Sequence, residues 1–336
     1  MGSLVLIERF DPQADASMLR ACFDMIRAGW PIDHPGQPGW AYDSFAGKWA
    51  RGFDPAPQQA WLVSDEAGIA VGCYLLRLPD KDNPTMATCI VAVDPARRRA
   101  GIGTEIIAHC SEQARRAGRS RLISYTRDDS PGAAFAAALG ARPGIAEVDR
   151  VLEIDAALAA RVPKLRGAAR PHAAGYSLAS WIGPTPDEYV DDVVLINATI
   201  ADAPRDEGVE PTVWDAERLR HSEQTMLEHG LTGYVVAARH DATGRLAALT
   251  AVITEAETPD WGFQQLTAVL PQHRGHRLGL LLKIAMLDFL AEHDPQVRHI
   301  QTGNAGANEH MIAINEQLGY TVLNVYRAWE LGLVQS

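Results

Sequence analysis

Cysteine is scarce. The 336 residues hold four, Cys22, Cys73, Cys89 and Cys110, none at a metal-ligand spacing from another. All four sit in apolar or helical surroundings, so they are expected to be free, buried thiols of a reducing compartment, with no metal site. Long apolar runs are missing too. No window approaches the roughly eighteen apolar residues of a membrane-spanning helix. The start, MGSLVLIERF, lacks the basic end and extended apolar segment of a secretory signal. Leu6 stands where a myristoylation site wants Ser or Thr. Basic charge is not in excess either. The formal net charge is -11, which argues against a general nucleic-acid binder and favours a cationic or amine partner. The expectation is a cytoplasmic protein, monomeric or homodimeric, with neither nucleic acid nor membrane as partner.

What the chain does have, it has twice. Pro95, Arg98 and Gly103 recur as Pro271, Arg274 and Gly279, each 176 residues later. At the same offset GIAVGCYLL, from Gly68, lines up with GRLAALTAV, from Gly244. Such a period is too long for a solenoid and marks a duplicated domain. Residues 1–160 and 176–336 are expected to be the two copies, with 161–175 as a linker rich in Ala, Gly and Pro. Each copy reads as an apolar-periodic helix, two strands joined by a turn, a third strand, a basic loop, a longer helix, another strand and a short helix ending at glycine. The helices expected first are ASMLRACFDMI and EYVDDVVLINATI. The fold class is α/β, a mixed and mostly antiparallel sheet flanked by helices, built twice.

The basic loop, DPARRRAGIGTE, carries the chemistry. Pro95 ends a strand, and the chain turns so that several amide groups meet the amino end of a helix. That end has unpaired donors and partial positive charge, a seat for phosphate. Gly101 and Gly103 are expected to let the backbone approach a bulky anion, and Arg97, Arg98 and Arg99 add permanent charge. The ligand read from this is a pyrophosphate. No Gly-x4-Gly-Lys-Ser/Thr loop occurs, and Ile106 stands where a dinucleotide fingerprint wants its third glycine.

Val93, Pro95, Arg98, Gly101 and Gly103 form a pattern that resembles the acyl-CoA signature of the GCN5-related N-acetyltransferases (GNAT). Val269, Pro271, Arg274 and Gly279 repeat it, with Arg277 in place of the first glycine. The chain resembles the two-domain members, a group that includes mycothiol synthase, and HRGHRLG is more like actinobacterial tandem proteins. The resemblance implies two tandem GNAT folds and an acetyl-CoA, or other acyl-CoA, cosubstrate. It implies contacts from Val93, Arg98, Arg99, Ala100, Gly101, Ile102, Gly103 and Thr104. In the second copy it implies Val269, Arg274, Gly275, His276, Arg277, Leu278, Gly279 and Leu280, with Asn308 on the pantetheine.

The family's tyrosine, the usual proton donor to the leaving thiolate, is Asn315 in the second copy. In the first copy Asp129 and Ala136 fill the Asn and Tyr places, so the second copy is favoured as the catalytic one. Glu255, His221 and Glu223 are candidates for base or water relay; Gln264, Gln265 and Asn304 for orienting substrate or water; residues 267–269 for an oxyanion donor. Trp30, Trp40, Trp49 and Trp61 are candidate walls of an acceptor pocket. The function implied is N-acyl transfer, by default acetyl, to a small-molecule amine. The alternative is a non-catalytic acyl-CoA-binding or scaffold protein.

Overall fold

A computed structural model describes residues 5–52, 56–199, 205–305 and 308–333. The order of elements repeats as the sequence does. In the first copy come β1 (Leu6–Phe10), α1 (Ala16–Asp33), α2 (Tyr42–Ala50), β2 (Gln58–Ser64), β3 (Ala70–Arg77), β4 (Met86–Val93), α3 (Ile102–Arg116), β5 (Arg121–Arg127), α4 (Pro131–Ala138) and β6 (Arg142–Glu153). Then follow α5 (Ala156–Ala169), β7 (Tyr176–Ile182), α6 (Val190–Ala198), α7 (Ala216–Glu228), β8 (Leu231–His240), β9 (Leu246–Glu255), β10 (Trp261–Val269), α8 (Leu278–His293), β11 (His299–Ala305), α9 (Glu309–Leu318) and β12 (Thr321–Gly332). Both first helices form as expected, although Ile200, the last residue of the second expected span, lies outside the described residues.

The chain divides into two compact units, but not at the expected boundaries. One takes residues up to 146, 206–210 and 324 onward; the other takes 147–205 and 211–323. The first unit's sheet runs β1-β2-β3-β4-β5-β12, antiparallel except for the parallel pair β4-β5. The second runs β7-β8-β9-β10-β11-β6, antiparallel except for β10-β11. Each unit thus has the mixed, mostly antiparallel sheet expected, closed by the last strand of the other copy. Tyr326 to Gly332 pair with Arg127 to Arg121, and Glu147 to Glu153 pair with Ala305 to His299. Strand periodicity tells which face of a strand is buried, not which neighbour it pairs with, so this exchange leaves no mark on the pattern.

The expected linker is also ordered. Residues 156–169 are helical, a 3-10 turn covers Arg170–Ala173, and Leu158, Ala169 and Ala173 are buried in the second unit's core. Asp155 caps the helix through the amide of Leu158. An Ala-rich run reads equally as spacer or helix, and here apolar packing against α8 decides.

In the first unit, alternate residues of β4 divide between two cores. Cys89, Val91 and Val93 face α3, with Ile102 and Ile106. Ile90 and Ala92 face α1 and α2, with Phe23, Phe45 and Trp49. All four cysteines are buried and free, as expected. Among the described residues no helix is long and apolar enough to cross a membrane.

Candidate functional site

Strands β4 and β5 pair only from Met86↔Arg121 to Thr88↔Ile123, and then part. The backbone of each beyond that point faces a gap rather than a partner strand. The basic loop lies at the far end of β4, and a cavity of about 740 Å³ occupies the opening. Its lining includes Cys89 to Val93, which face both sides of the sheet, so the cavity passes through it. On one side it meets Gly101 to Thr104 of the loop and Ser130 to Gly132 of α4; on the other it meets Trp30, His34, Trp40 and Lys48.

The loop is built differently from the sequence reading. Arg97 is ion-paired with Asp65. Arg98 grips both oxygens of Asp33 at 3.0 and 2.7 Å and donates from Nε to the Val93 carbonyl at 3.2 Å. Arg274 makes the same Nε contact to Val269 at 3.3 Å. The motif arginine therefore buckles the loop to the end of its strand. Arg99 has neither kind of partner among the described residues and is exposed.

The glycines also divide their work. Gly101 has φ +86° and space around it, so it supplies the left-handed turn before α3. A Cβ on Gly103 would lie 3.2 Å from the Phe135 ring, and one on Gly279 3.2 Å from Ile314. Each of these glycines lets two helices approach closely.

The irregular second loop has the same backbone. Positive φ falls at Arg99 and Gly101 in one loop, at Gly275 and Arg277 in the other. Arginine and glycine have exchanged places, and the left-handed turn before α8 is made by Arg277 at φ +53°. What differs is the covering. His276 Nδ1 donates to the His172 carbonyl at 3.0 Å and Arg277 Nη1 to the Ala168 carbonyl at 3.3 Å. Helix α5 packs on both α8 and α9, and Arg161 donates to the Leu318 carbonyl at 2.6 Å. Its carboxyl end, which carries partial negative charge, thus lies against the second loop.

Asn315 is fully buried and donates to Asn304 Oδ1 at 2.7 Å, so these two are brought together. Asn308 caps α9 through the Met311 amide. In the first unit the matching cap is Ser130, on the Ala133 amide, and Asp129 points outward, paired with Arg127. Counting back from the final glycine missed this by one residue, because the two helices end differently against it. Ala136 does line the cavity.

Glu255 accepts from Thr258, and Glu223 accepts from the Thr185 amide and from Arg220. His221 Nε2 is buried with no partner among the described residues. Gln264 holds the backbone of Ala251 and Leu266 at a β-bulge, and accepts from Lys283 Nζ at 3.2 Å. The bulge falls between Gln264 and Leu266, ahead of the expected 267–269. Burial brings Lys283 down to about 7, and nothing in the sequence distinguished it from a surface lysine. Gln265 is exposed and bonds the Phe263 carbonyl. Of the tryptophans, Trp30 and Trp40 line the cavity, whereas Trp49 and Trp61 belong to the cores.

His34 was not anticipated. It stacks on Trp30 at 4.0 Å between ring centres, and its Nδ1 lies 2.8 Å from Tyr326 Oη. Burial lowers its pKa below the ordinary value, Asp33 pulls the other way, and Arg127 adds to the lowering. A lone His before Pro in a loop-rich stretch gives no signal. Its partner is a residue of β12, 292 positions away.

Residues 19–141 match the acetyltransferase (GNAT) family. Over 99% of its length the chain matches all of a tandem GNAT protein from the clavulanic acid biosynthesis pathway, solved without acetyl-CoA, at 28% identity and a TM-score of 0.82. The first copy thus carries the GNAT family pattern, and the chain as a whole has a tandem GNAT fold. A GNAT from Sphaerobacter thermophilus shares the fold over 99% of this chain and 96% of its own, at 16% identity and a TM-score of 0.69. So does a fungal glucosamine N-acetyltransferase region of a multi-domain β-N-acetylglucosaminidase, at 15% identity and a TM-score of 0.66, over 98% of this chain and 38% of that one. No curated protein sequence matches. The GNAT fold is a scaffold for acyl transfer, and both units carry its loop and its parted strands.

Proposed function

We propose that the protein is an acyl-CoA-dependent N-acyltransferase, acetyl by default, and that the first GNAT unit is the working one. The observation that carries this reading is the cavity. It joins the amino end of α3 and Arg99 to the aromatic chamber beside α1 through the gap between β4 and β5. The fit to an acyl-CoA is physical: a loop with left-handed residues before a helix, an exposed arginine for phosphate, and two parted strand edges whose backbone groups can meet an extended amide-bearing arm. In the second unit, α5 lies against the corresponding loop, which favours a structural role for it. The preference thereby moves away from the unit that keeps Asn308.

A bound acyl-CoA supplies the acyl group as a thioester. His34 takes the proton of the attacking nitrogen. In the tautomer that donates Nδ1–H to Tyr326, the Nε2 lone pair is left for the amine. As the C–N bond forms and the C–S bond breaks, the electron pair leaves with sulfur. Ala136 offers no acid there, and a thiol with a pKa of about 8.5 leaves as thiolate or takes a proton from water.

The test is release of free thiol from acetyl-CoA with a panel of small amines. The replacement Arg99→Glu is expected to raise the KM for acetyl-CoA at least tenfold, because it reverses charge where phosphate would sit. A protein that binds acetyl-CoA but releases thiol with no amine supports instead a non-catalytic acyl-CoA-binding protein.

A further inference from the structure

The chamber on the α1 side has an ordered wall. From His34, Trp30 follows at 4.0 Å between ring centres, then Trp40 at 5.3 Å, and then the Lys48 ammonium 4.2 Å from the Trp40 ring. A histidine stands at one end, a cation at the other, and two indoles between them. The ammonium has no carboxylate partner among the described residues; its neighbour is an aromatic face. Burial first, and the Arg77 guanidinium second, bring it down to about 8, as expected for a cation short of anionic company.

The charge balance of the whole cavity points the same way. Among the described residues, Lys48, Arg97, Arg98, Arg99 and Arg127 line it against a single carboxylate, Asp33, and Arg98 already holds both oxygens of that carboxylate. Arg97 and Arg127 are paired to Asp65 and Asp129, and Arg99 belongs to the phosphate end. Lys48 is left in the lining on the Trp40 side without an anionic partner among the described residues. A polyamine or an aminosugar with several ammonium groups would bring positive charge to a positive chamber whose carboxylate, Asp33, is already held by Arg98. The net negative charge of the chain, which favoured a cationic partner, is thus not repeated in this lining.

We propose that the acceptor is an amine that also carries a carboxylate, separated from the nitrogen by an apolar body: the carboxylate seats on Lys48, the body lies along Trp30 and Trp40, and the nitrogen reaches His34. A single ammonium suits a monoanion; a phosphate would call for several donors or a guanidinium fork. The inference rests on the first unit being the acyl-transfer site, and it names the substrate class of that site.

The experiment is calorimetry on the full chain saturated with coenzyme A, so that it does not depend on turnover. The titrants are ω-amino carboxylates with alkyl or aryl spacers of increasing length, each beside its carboxamide and its plain amine. Failure of coenzyme A itself to bind would overturn the transferase reading as a whole. With coenzyme A bound, at least one carboxylate is expected to bind about tenfold tighter than its carboxamide, about 1.4 kcal/mol. Lys48→Met should erase that preference and Lys48→Arg should keep it, both with unchanged affinity for coenzyme A and a normal thermal transition. Equal binding of carboxylate and carboxamide, tighter binding of a polyamine or a phosphate analogue, or binding by no carboxylate in the series would each overturn the proposal.

Discussion

A fragment ending at residue 160 is expected not to fold, although it contains almost all of the family pattern. Cutting there removes β12, which pairs with β5 from Tyr326 to Gly332. It also removes buried Ala328 and Leu333, the Arg327 contact to Asp128, and the Glu330 carboxylate that pairs with Arg121 and Arg142. A fully buried leucine is worth about 1.5–3 kcal/mol, against a total stability of about 5–15 kcal/mol for a domain. Losing a whole strand also leaves β5 as an open edge beside a cavity. The fragment should show no cooperative melt and no acetyl-CoA binding. Joining residues 321–333 to it through a flexible linker should restore both. A fragment of residues 1–160 that melts cooperatively and binds like the whole chain would show that the strand exchange is dispensable.

The second large effect is expected at His34. Removal of a positioned general base costs about 10²–10⁴ in rate. His34→Gln should therefore lower kcat by about that range, with the KM for acetyl-CoA nearly unchanged, because the side chain lies on the acceptor side of the sheet. The pH profile gives a second reading. Burial holds the His34 pKa below its ordinary value, so the neutral, proton-accepting form dominates at pH 7. The rate should therefore begin to decline at a lower pH than it would with an ordinary histidine as the base. Tyr326→Phe leaves Nδ1 without its oxygen partner and should reduce kcat less than His34→Gln does. A His34→Gln enzyme with full kcat would remove the histidine from the mechanism.

The duplication was legible because its signals are local. Proline, arginine and glycine at one offset mark strand end, loop and helix start, and the loop backbones do superpose in kind, with positive φ at matching positions. The charge pattern was harder to read. Three arginines in a row look alike, yet Asp65 and Asp33 engage two of them, and neither carboxylate is near the loop in sequence. The division of units, the covering of the second loop by α5, and the His34–Tyr326 pair all depend on contacts between residues far apart in sequence. Periodicity carries no information about those. Lys48 belongs with them, for a lysine in YDSFAGKWA reads as a solvated helix face until Trp40 is seen beneath it.

The most direct measurement is the stoichiometry of acetyl-CoA binding to the intact chain, by calorimetry, for wild type, Arg99→Glu and Arg277→Glu. The account predicts one molecule per chain, binding weakened at least tenfold by the change in the first loop and unchanged by the change in the second. Two molecules per chain, or one whose binding is lost through Arg277→Glu and retained in Arg99→Glu, would contradict it.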